Sequence, residues 1–153
     1  MPATLDDLKD EYQAFYDLLK ASGKLLVKDT SIGIWGPADF DVMINLFSTI
    51  DVKNKRLLDL GSGDGKVVLI AALFGAEATG IELDDDLLSK SRKIATKLSI
   101  KANFILDNFM NHSLANYDIL FINPDKSFSS QLEKKLVEEL KGTLYVYNTI
   151  FKP

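Results

Sequence analysis

One stretch narrows what this chain can become more than any other: Leu57-Leu58-Asp59-Leu60-Gly61-Ser62-Gly63-Asp64-Gly65. It opens as an apolar run suited to a buried strand, stops on an acid, and continues with glycine at every second position. Glycines in that pattern let a backbone turn sharply and let a ligand approach it closely. The apolar run Lys66-Val67-Val68-Leu69-Ile70-Ala71-Ala72-Leu73-Phe74 follows and reads as a helix. Strand, glycine turn and helix in succession form the opening of a parallel α/β unit.

The chain keeps that alternation to its end. Strands are expected over 56–60, 78–82, 102–106, 117–122 and 143–150, with helices over 66–74, 84–98 and 129–140. The second of these helices turns Leu87, Ser91, Ile94, Ala95 and Leu98 inward. Nearly continuous apolar strands between amphipathic helices indicate a parallel sheet covered on both faces. Right-handed crossovers make it a doubly wound α/β sheet. Such a sheet binds ligands at the carboxyl ends of its strands. There the sequence supplies 59–65, Glu82, Asp107-Asn108 and Asn123-Pro124-Asp125.

The residues ahead of this core read as helical. Leu5, Leu8, Tyr12, Phe15 and Leu19 recur at helical spacing over 4–20, with Thr4 as N-cap and Asp7 three residues on. Gly23 ends that helix. Residues 24–37 read as a loop with a short extended piece at Leu25-Leu26-Val27. A second helix over 38–50 points Phe40, Ile44, Phe47 and Ile50 inward. With 153 residues, one domain over 1–153 is expected, a helical cap at 1–50 and an α/β core at 56–150.

Composition excludes several chemistries. There is no cysteine and only one histidine, so a zinc site of the usual ligands and Cys-His catalysis are out of reach. No metal is expected, and His112 reads as a solvated loop residue. No apolar run approaches the ~20 residues that span a bilayer. From the acidic start of the chain no export signal, a cytoplasmic location and a monomer are expected. Net charge is −4, from 22 acidic and 18 basic residues. That balance disfavours tracking a phosphate backbone and favours a basic partner.

The glycine loop selects among nucleotide cofactors. A dinucleotide fingerprint counted from Gly61 needs glycine at position 66, which holds Lys66. Asp59 at the strand end would repel a pyrophosphate but can steer an ammonium. S-adenosyl-L-methionine carries an ammonium and a sulfonium and no phosphate, so the loop favours it. Glu82, ending the next strand, can accept from both ribose hydroxyls, as acids do at that place in nucleotide-binding folds. Leu83 follows and can pack on adenine. Asp107 and Asn108 can meet the adenine amino group and a ring nitrogen. Asp84, Asp85 and Asp86 read instead as charges at a helix N-terminus.

On these residues the chain resembles the class I S-adenosylmethionine-dependent methyltransferases, with Asp59-Leu60-Gly61-Ser62-Gly63-Asp64-Gly65, Ile81-Glu82-Leu83, Leu106-Asp107-Asn108 and Asn123-Pro124-Asp125 in order. The likeness implies that Asp59, Gly61, Ser62, Gly63, Glu82, Leu83, Asp107 and Asn108 bind the cofactor. More narrowly, the segment 57–72, Ile34-Trp35-Gly36-Pro37 and the helix after them resemble the small archaeal protein lysine methyltransferases. Those are related to mitochondrial enzymes and to the disruptor-of-telomeric-silencing histone lysine methyltransferases. This narrower likeness implies methylation of lysines on basic, chromatin-type proteins and on the chain itself, which has 16 lysines once Arg56 and Arg92 are taken from the basic total.

Against the wider class, the usual strands six and seven are expected to be absent. An open sheet of about five strands in the order 3-2-1-4-5 is therefore expected, with a shallow acceptor site suited to a protruding side chain. Nucleobase amino-methyltransferases carry an acid or Asn, two prolines and an aromatic after the fourth strand. Here Asp125 and Lys126 replace the second proline and the aromatic, and Phe128 is the nearest ring. Asn123 and Pro124 are candidates to orient an amine, with Trp35, Phe121, Phe128, Tyr145 and Tyr147 as channel walls. Lysine suits the absence of a histidine base. A neutral lysine amine at pH 7 costs about 4.6 kcal/mol, which an apolar channel and a nearby cation reduce. Two alternatives stay open: a nucleic-acid or small-molecule methyltransferase, and a cofactor-binding module that needs a partner.

Overall fold

A computed structural model describes residues 2–23, 28–30, 33–35 and 37–147. The core is a five-stranded, wholly parallel sheet. Its strands are β3 (Arg56–Leu60), β4 (Glu77–Glu82), β5 (Asn103–Leu106), β6 (Ile119–Ile122) and β7 (Thr143–Val146). They lie in the order β5-β4-β3-β6-β7, which is the expected 3-2-1-4-5 counted along the core. The strand with the glycine loop is thus central, flanked by the two strands whose ends carry Glu82 and Asn123.

Strand alternation sorts the side chains onto two faces. Leu58, Leu60, Ile81, Leu120 and Ile122 form one buried layer with Leu132 and Leu136 of α5 (Ser130–Glu139). Leu57, Ala78, Ile119 and Phe121 face the other way, beneath α3 (Lys66–Leu73) and the helices α1 (Leu5–Ala21), α2 (Phe40–Thr49) and α4 (Asp85–Lys97). Asp59 lies two residues beyond Leu57, so alternation turns it toward this thicker, helix-covered face.

The helix ends follow their caps. Thr4 and Asp7 exchange side-chain and backbone bonds in a capping box at the start of α1. Such a cap is worth about 1 kcal/mol. Gly23 follows with φ +73°. Asp84 caps α4, with Asp85 and Asp86 in its first turn.

Several details depart from the sequence-based expectation. Residues 28–30 and 33–35 pair antiparallel as β1 (Lys28–Thr30) and β2 (Gly33–Trp35), where the sequence predicts a loop. Three-residue strands are too short to show alternation. The expected piece at 25–27 lies outside the described residues, as do 148–150 of the last expected strand and the Trp35 side chain. In α2 the buried side chains are Phe40, Met43 and Phe47, while Ile44 and Ile50 are half-buried. Met43 is buried because the inward stripe runs i, i+3, i+7 from Phe40. In α4, Leu88 is buried as well, and Leu98, the C-cap, packs half-buried against the core.

Candidate active site

The carboxyl ends of β3, β4 and β6 surround a cleft of about 280 Å³. The glycine loop forms its floor. Gly61 has φ +77°, and a Cβ built there would meet nothing within 4 Å, so this turn presents bare backbone to open space. Gly80 does the opposite job. A Cβ on it would lie 2.6 Å from Ser62 Cβ and Oγ, so the missing side chain on β4 is what lets the loop settle against the sheet.

Carboxylates hold the loop. Glu82 Oε1 accepts from Gly63 N at 2.9 Å, and Oε2 accepts from Leu83 N at 2.7 Å and Asp84 N at 2.8 Å. Asp64 Oδ1 accepts from Lys66 N at 3.1 Å, serving the start of α3 where Gly65 has no side chain to do so. Asp59 lies deeper, 2% exposed, beside Gly80 and Phe121 in register. Its Oδ1 has no hydrogen-bond partner, and neither has Ser62 Oγ. Burial, then the charges of Glu82 and Asp64, push the Asp59 carboxyl well above the usual carboxylate range.

A buried cation closes the same wall. Lys66 is 3% exposed. Its Nζ donates to the Ala38 carbonyl and stands 4.7 Å from the Tyr16 ring centroid and 5.7 Å from that of Tyr12. Burial pulls this ammonium below its usual range, against the opposing pull of Asp64 and Asp39. Tyr12 Oη donates to the Asp64 carbonyl at 2.7 Å, and Tyr16 Oη to Asp64 Oδ2 at 2.5 Å. Burial pushes the Asp64 carboxyl up, while Lys66 and the Tyr16 hydroxyl draw it down.

The expected site residues divide. Asp59, Gly61, Ser62, Gly63, Glu82, Asn108, Asn123 and Pro124 all line the cleft, and so do Phe121 and Phe128. Leu83, Asp107, Tyr145 and Tyr147 do not. Asp107 turns to its own loop, where its carboxylate accepts from Asn108 N at 2.7 Å and Asn111 Nδ2 at 3.0 Å. These bonds hold it below its usual range. His112 is not a freely solvated residue, because its Nε2 lies 3.0 Å from Asp107 Oδ2. Tyr147 Oη accepts from Asp39 N at 3.1 Å, tying the end of β7 to α2. Asn108 caps a short 3₁₀ turn, accepting from Met110 N.

Sequence reasoning missed Asp64, Lys66, Tyr12 and Tyr16 as parts of this wall, and Phe109 and Met110 as lining. Two signals were there. Tyr12 lies in the apolar stripe of α1 with Tyr16 four residues on, and a buried tyrosine hydroxyl needs a partner. Lys66 opens a helix that is otherwise wholly apolar through Leu73, so its ammonium must find partners in the interior.

Residues 59–152 match the ANTKMT methyltransferase domain. The chain belongs to that family. It is 38% identical over 93 residues to the ATP synthase C-subunit lysine N-methyltransferase of Caenorhabditis elegans, a match that covers 60% of this chain and 49% of that one. To the human protein of the same name it is 32% identical over 107 residues, covering 69% and 46%. The chain spans about half the length of the curated relatives it matches. Among solved structures it is similar to an RNA methyltransferase from Salinibacter ruber in complex with S-adenosyl-L-homocysteine. There the TM-score is 0.62 and the identity 28%, with 71% of each chain covered.

The cleft fits the cofactor of this class. A buried acid with an oxygen that lacks a partner, next to two further carboxylates, calls for a cation. S-adenosylmethionine brings an ammonium and a sulfonium. The bare Gly61 backbone leaves room for a close approach.

Proposed function

We propose that this chain is an S-adenosylmethionine-dependent methyltransferase that modifies lysine side chains on proteins. The observation that carries this reading is the shared cleft. Buried Asp59, Glu82 and the glycine loop line it together with Asn123 and Pro124, and among the described residues its lining contains no histidine. The names of the relatives support lysine as the acceptor.

In this reading Asp59 takes the ammonium of the cofactor and Glu82 its ribose hydroxyls. The cofactor, when bound, supplies an electrophilic methyl group on a positively charged sulfur. The chain's own task is to hold a neutral amine in line with that group. Phe121, Phe128, Met110 and Pro124 give the cleft apolar walls, which favour the neutral form of an entering lysine. Asn123 and the Pro124 carbonyl offer acceptors for its N–H bonds. The proton leaves to water before transfer, so no side-chain base is required.

Two observations bear on the protein substrate. A net charge of −4 suits basic, chromatin-type proteins. The curated relatives are named for the C-subunit of ATP synthase. A second reading, a nucleic-acid methyltransferase, draws on Phe128, which lines the cleft beside Pro124 where a base could stack. The likeness to an RNA methyltransferase also favours it, while the charge speaks against it.

A labelled-methyl transfer assay separates these. The purified protein is offered basic DNA-binding proteins, the ATP synthase C-subunit, DNA and RNA in separate reactions. Label on protein lysines is the expected result, and the substrate labelled names the target class. Label on nucleic acid alone overturns the lysine assignment. No label despite cofactor binding assigns the chain to a partner-dependent role.

A further inference from the structure

The helix α1 lies wholly outside the matched region 59–152, yet two of its side chains reach the glycine loop. Both bonds end on the same residue. Tyr12 holds the backbone carbonyl of Asp64, and Tyr16 holds its carboxylate. Asp64 in turn supports the first N–H of α3, and Lys66 Nζ stands over the ring of the tyrosine that bonds the Asp64 carboxylate. Asp64, Lys66 and Ala38 all line the cleft. The wall thus gathers an α1 hydroxyl bonded to a loop carboxylate, an α3 ammonium within that carboxylate's field, and the carbonyl leading into α2 that takes the ammonium's bond.

A docking contact alone would not need this arrangement. Tyr12 already pins the loop backbone from within the core, being 1% exposed. The Tyr16 hydroxyl adds something else, a charge-assisted bond to a buried carboxylate. That carboxylate balances the ammonium beside it. We propose that Tyr16 is a positioning residue for the cofactor: through Asp64 it fixes the turn between Gly63 and Gly65 and the Lys66 ammonium in the arrangement that receives the amino-acid end of S-adenosylmethionine. This rests on the cofactor assignment made above.

The charged and titratable groups around Asp64 come from every neighbouring element. They are Tyr12 and Tyr16 of α1, Asp59 of β3, Lys66 of α3 and Glu82 of β4, with Asp39 acting on Lys66. From α4, Ser91 Oγ donates to the Gly63 carbonyl, and Lys90 stands over the Phe15 ring. The ionised form of Asp64 accepts the Tyr16 hydroxyl, so the bond draws the carboxyl down. Without the hydroxyl the carboxyl protonates at higher pH.

The test is calorimetric titration of the full chain with S-adenosylhomocysteine across pH, using Tyr16→Phe and Tyr12→Phe. Tyr16→Phe keeps the ring over Lys66 and removes only the hydroxyl. It should raise Kd about tenfold at neutral pH, the loss of one hydrogen bond to a charged group. It should also move the acid limb of binding to higher pH. Tyr12→Phe removes a bond to backbone only, so it should lower Tm and leave the acid limb in place. An unchanged Kd in Tyr16→Phe overturns the proposal. So does a raised Kd with an unmoved acid limb, which would reduce Tyr16 to a helix-docking contact. No binding by the unaltered protein would overturn the cofactor assignment itself, and this inference with it.

Discussion

The two halves of the cleft are built on different principles. The half formed by 59–66 and Glu82 is fixed through the backbone: positive-φ turns that favour glycine, and N–H groups held by carboxylates. The half around 123–129 presents side chains instead: Phe128 lines it, Phe121 on the strand before it packs 6.4 Å from the Tyr147 ring, and Ser129 caps α5. A backbone-built site admits little variation in sequence, whereas a side-chain-built wall can change its lining without moving a strand. The first half is therefore where a class shows itself, and in the proposed reading the second is where a substrate is chosen.

Substitutions can break or sharpen that contrast. The largest effect is expected from Glu82→Ala, which strips three backbone N–H groups of their acceptor. Cofactor Kd should rise about a hundredfold or more in calorimetric titration. An unchanged Kd would mean the backbone half does not need its carboxylate. Gly80→Ala comes next. The added Cβ collides with Ser62, so the loop must shift, and Kd should rise about tenfold although residue 80 lies behind the loop.

Asp59→Asn sharpens the contrast through pH. Burial raises the Asp59 carboxyl in the folded chain, so the folded state binds a proton that the unfolded state releases. Its contribution to stability is present below the unfolded pKa and is lost as pH rises through the folded one. Asn should thus make the cofactor-free chain more stable at neutral pH in urea titration, and it should weaken cofactor binding several-fold. A variant both less stable and equally tight would break the cation argument. Phe128→Ala should lower kcat/KM for the acceptor a few-fold with cofactor Kd unchanged; a change in Kd instead would place this ring in the cofactor half. The smallest effect belongs to Val137→Lys on α5, 86% exposed and outside the lining of both halves. It should shift stability by no more than about 0.5 kcal/mol in the same urea titration.

This division also explains what the sequence made legible. The resemblance supplied the strand order; the parallel sheet itself was legible in the apolar runs and the handedness of crossovers, and Gly61 to Gly65 announced the turn. Those features depend on backbone rules that act locally. The Tyr16–Asp64 bond joins residues 48 positions apart, and no periodicity records such a meeting. Tyr147 shows the converse. Its position at a strand end suggested the acceptor channel, yet its hydroxyl caps the approach to α2 at Asp39. The β1–β2 pair was hidden for a simpler reason, since each strand has three residues.

The crowding around Glu82 bears on how a ligand enters. A carboxylate offers about four lone-pair directions. Backbone N–H groups of Gly63, Leu83 and Asp84 occupy three of them. In the role proposed above for Glu82, a ribose diol would bring two donors to the same group. Its arrival would then be an exchange of partners rather than a simple addition, with one main-chain amide loosening as the sugar seats. The amide of Gly63, alone on its oxygen and inside the loop, would make the recognition of a sugar felt directly in the turn that holds the rest of the molecule.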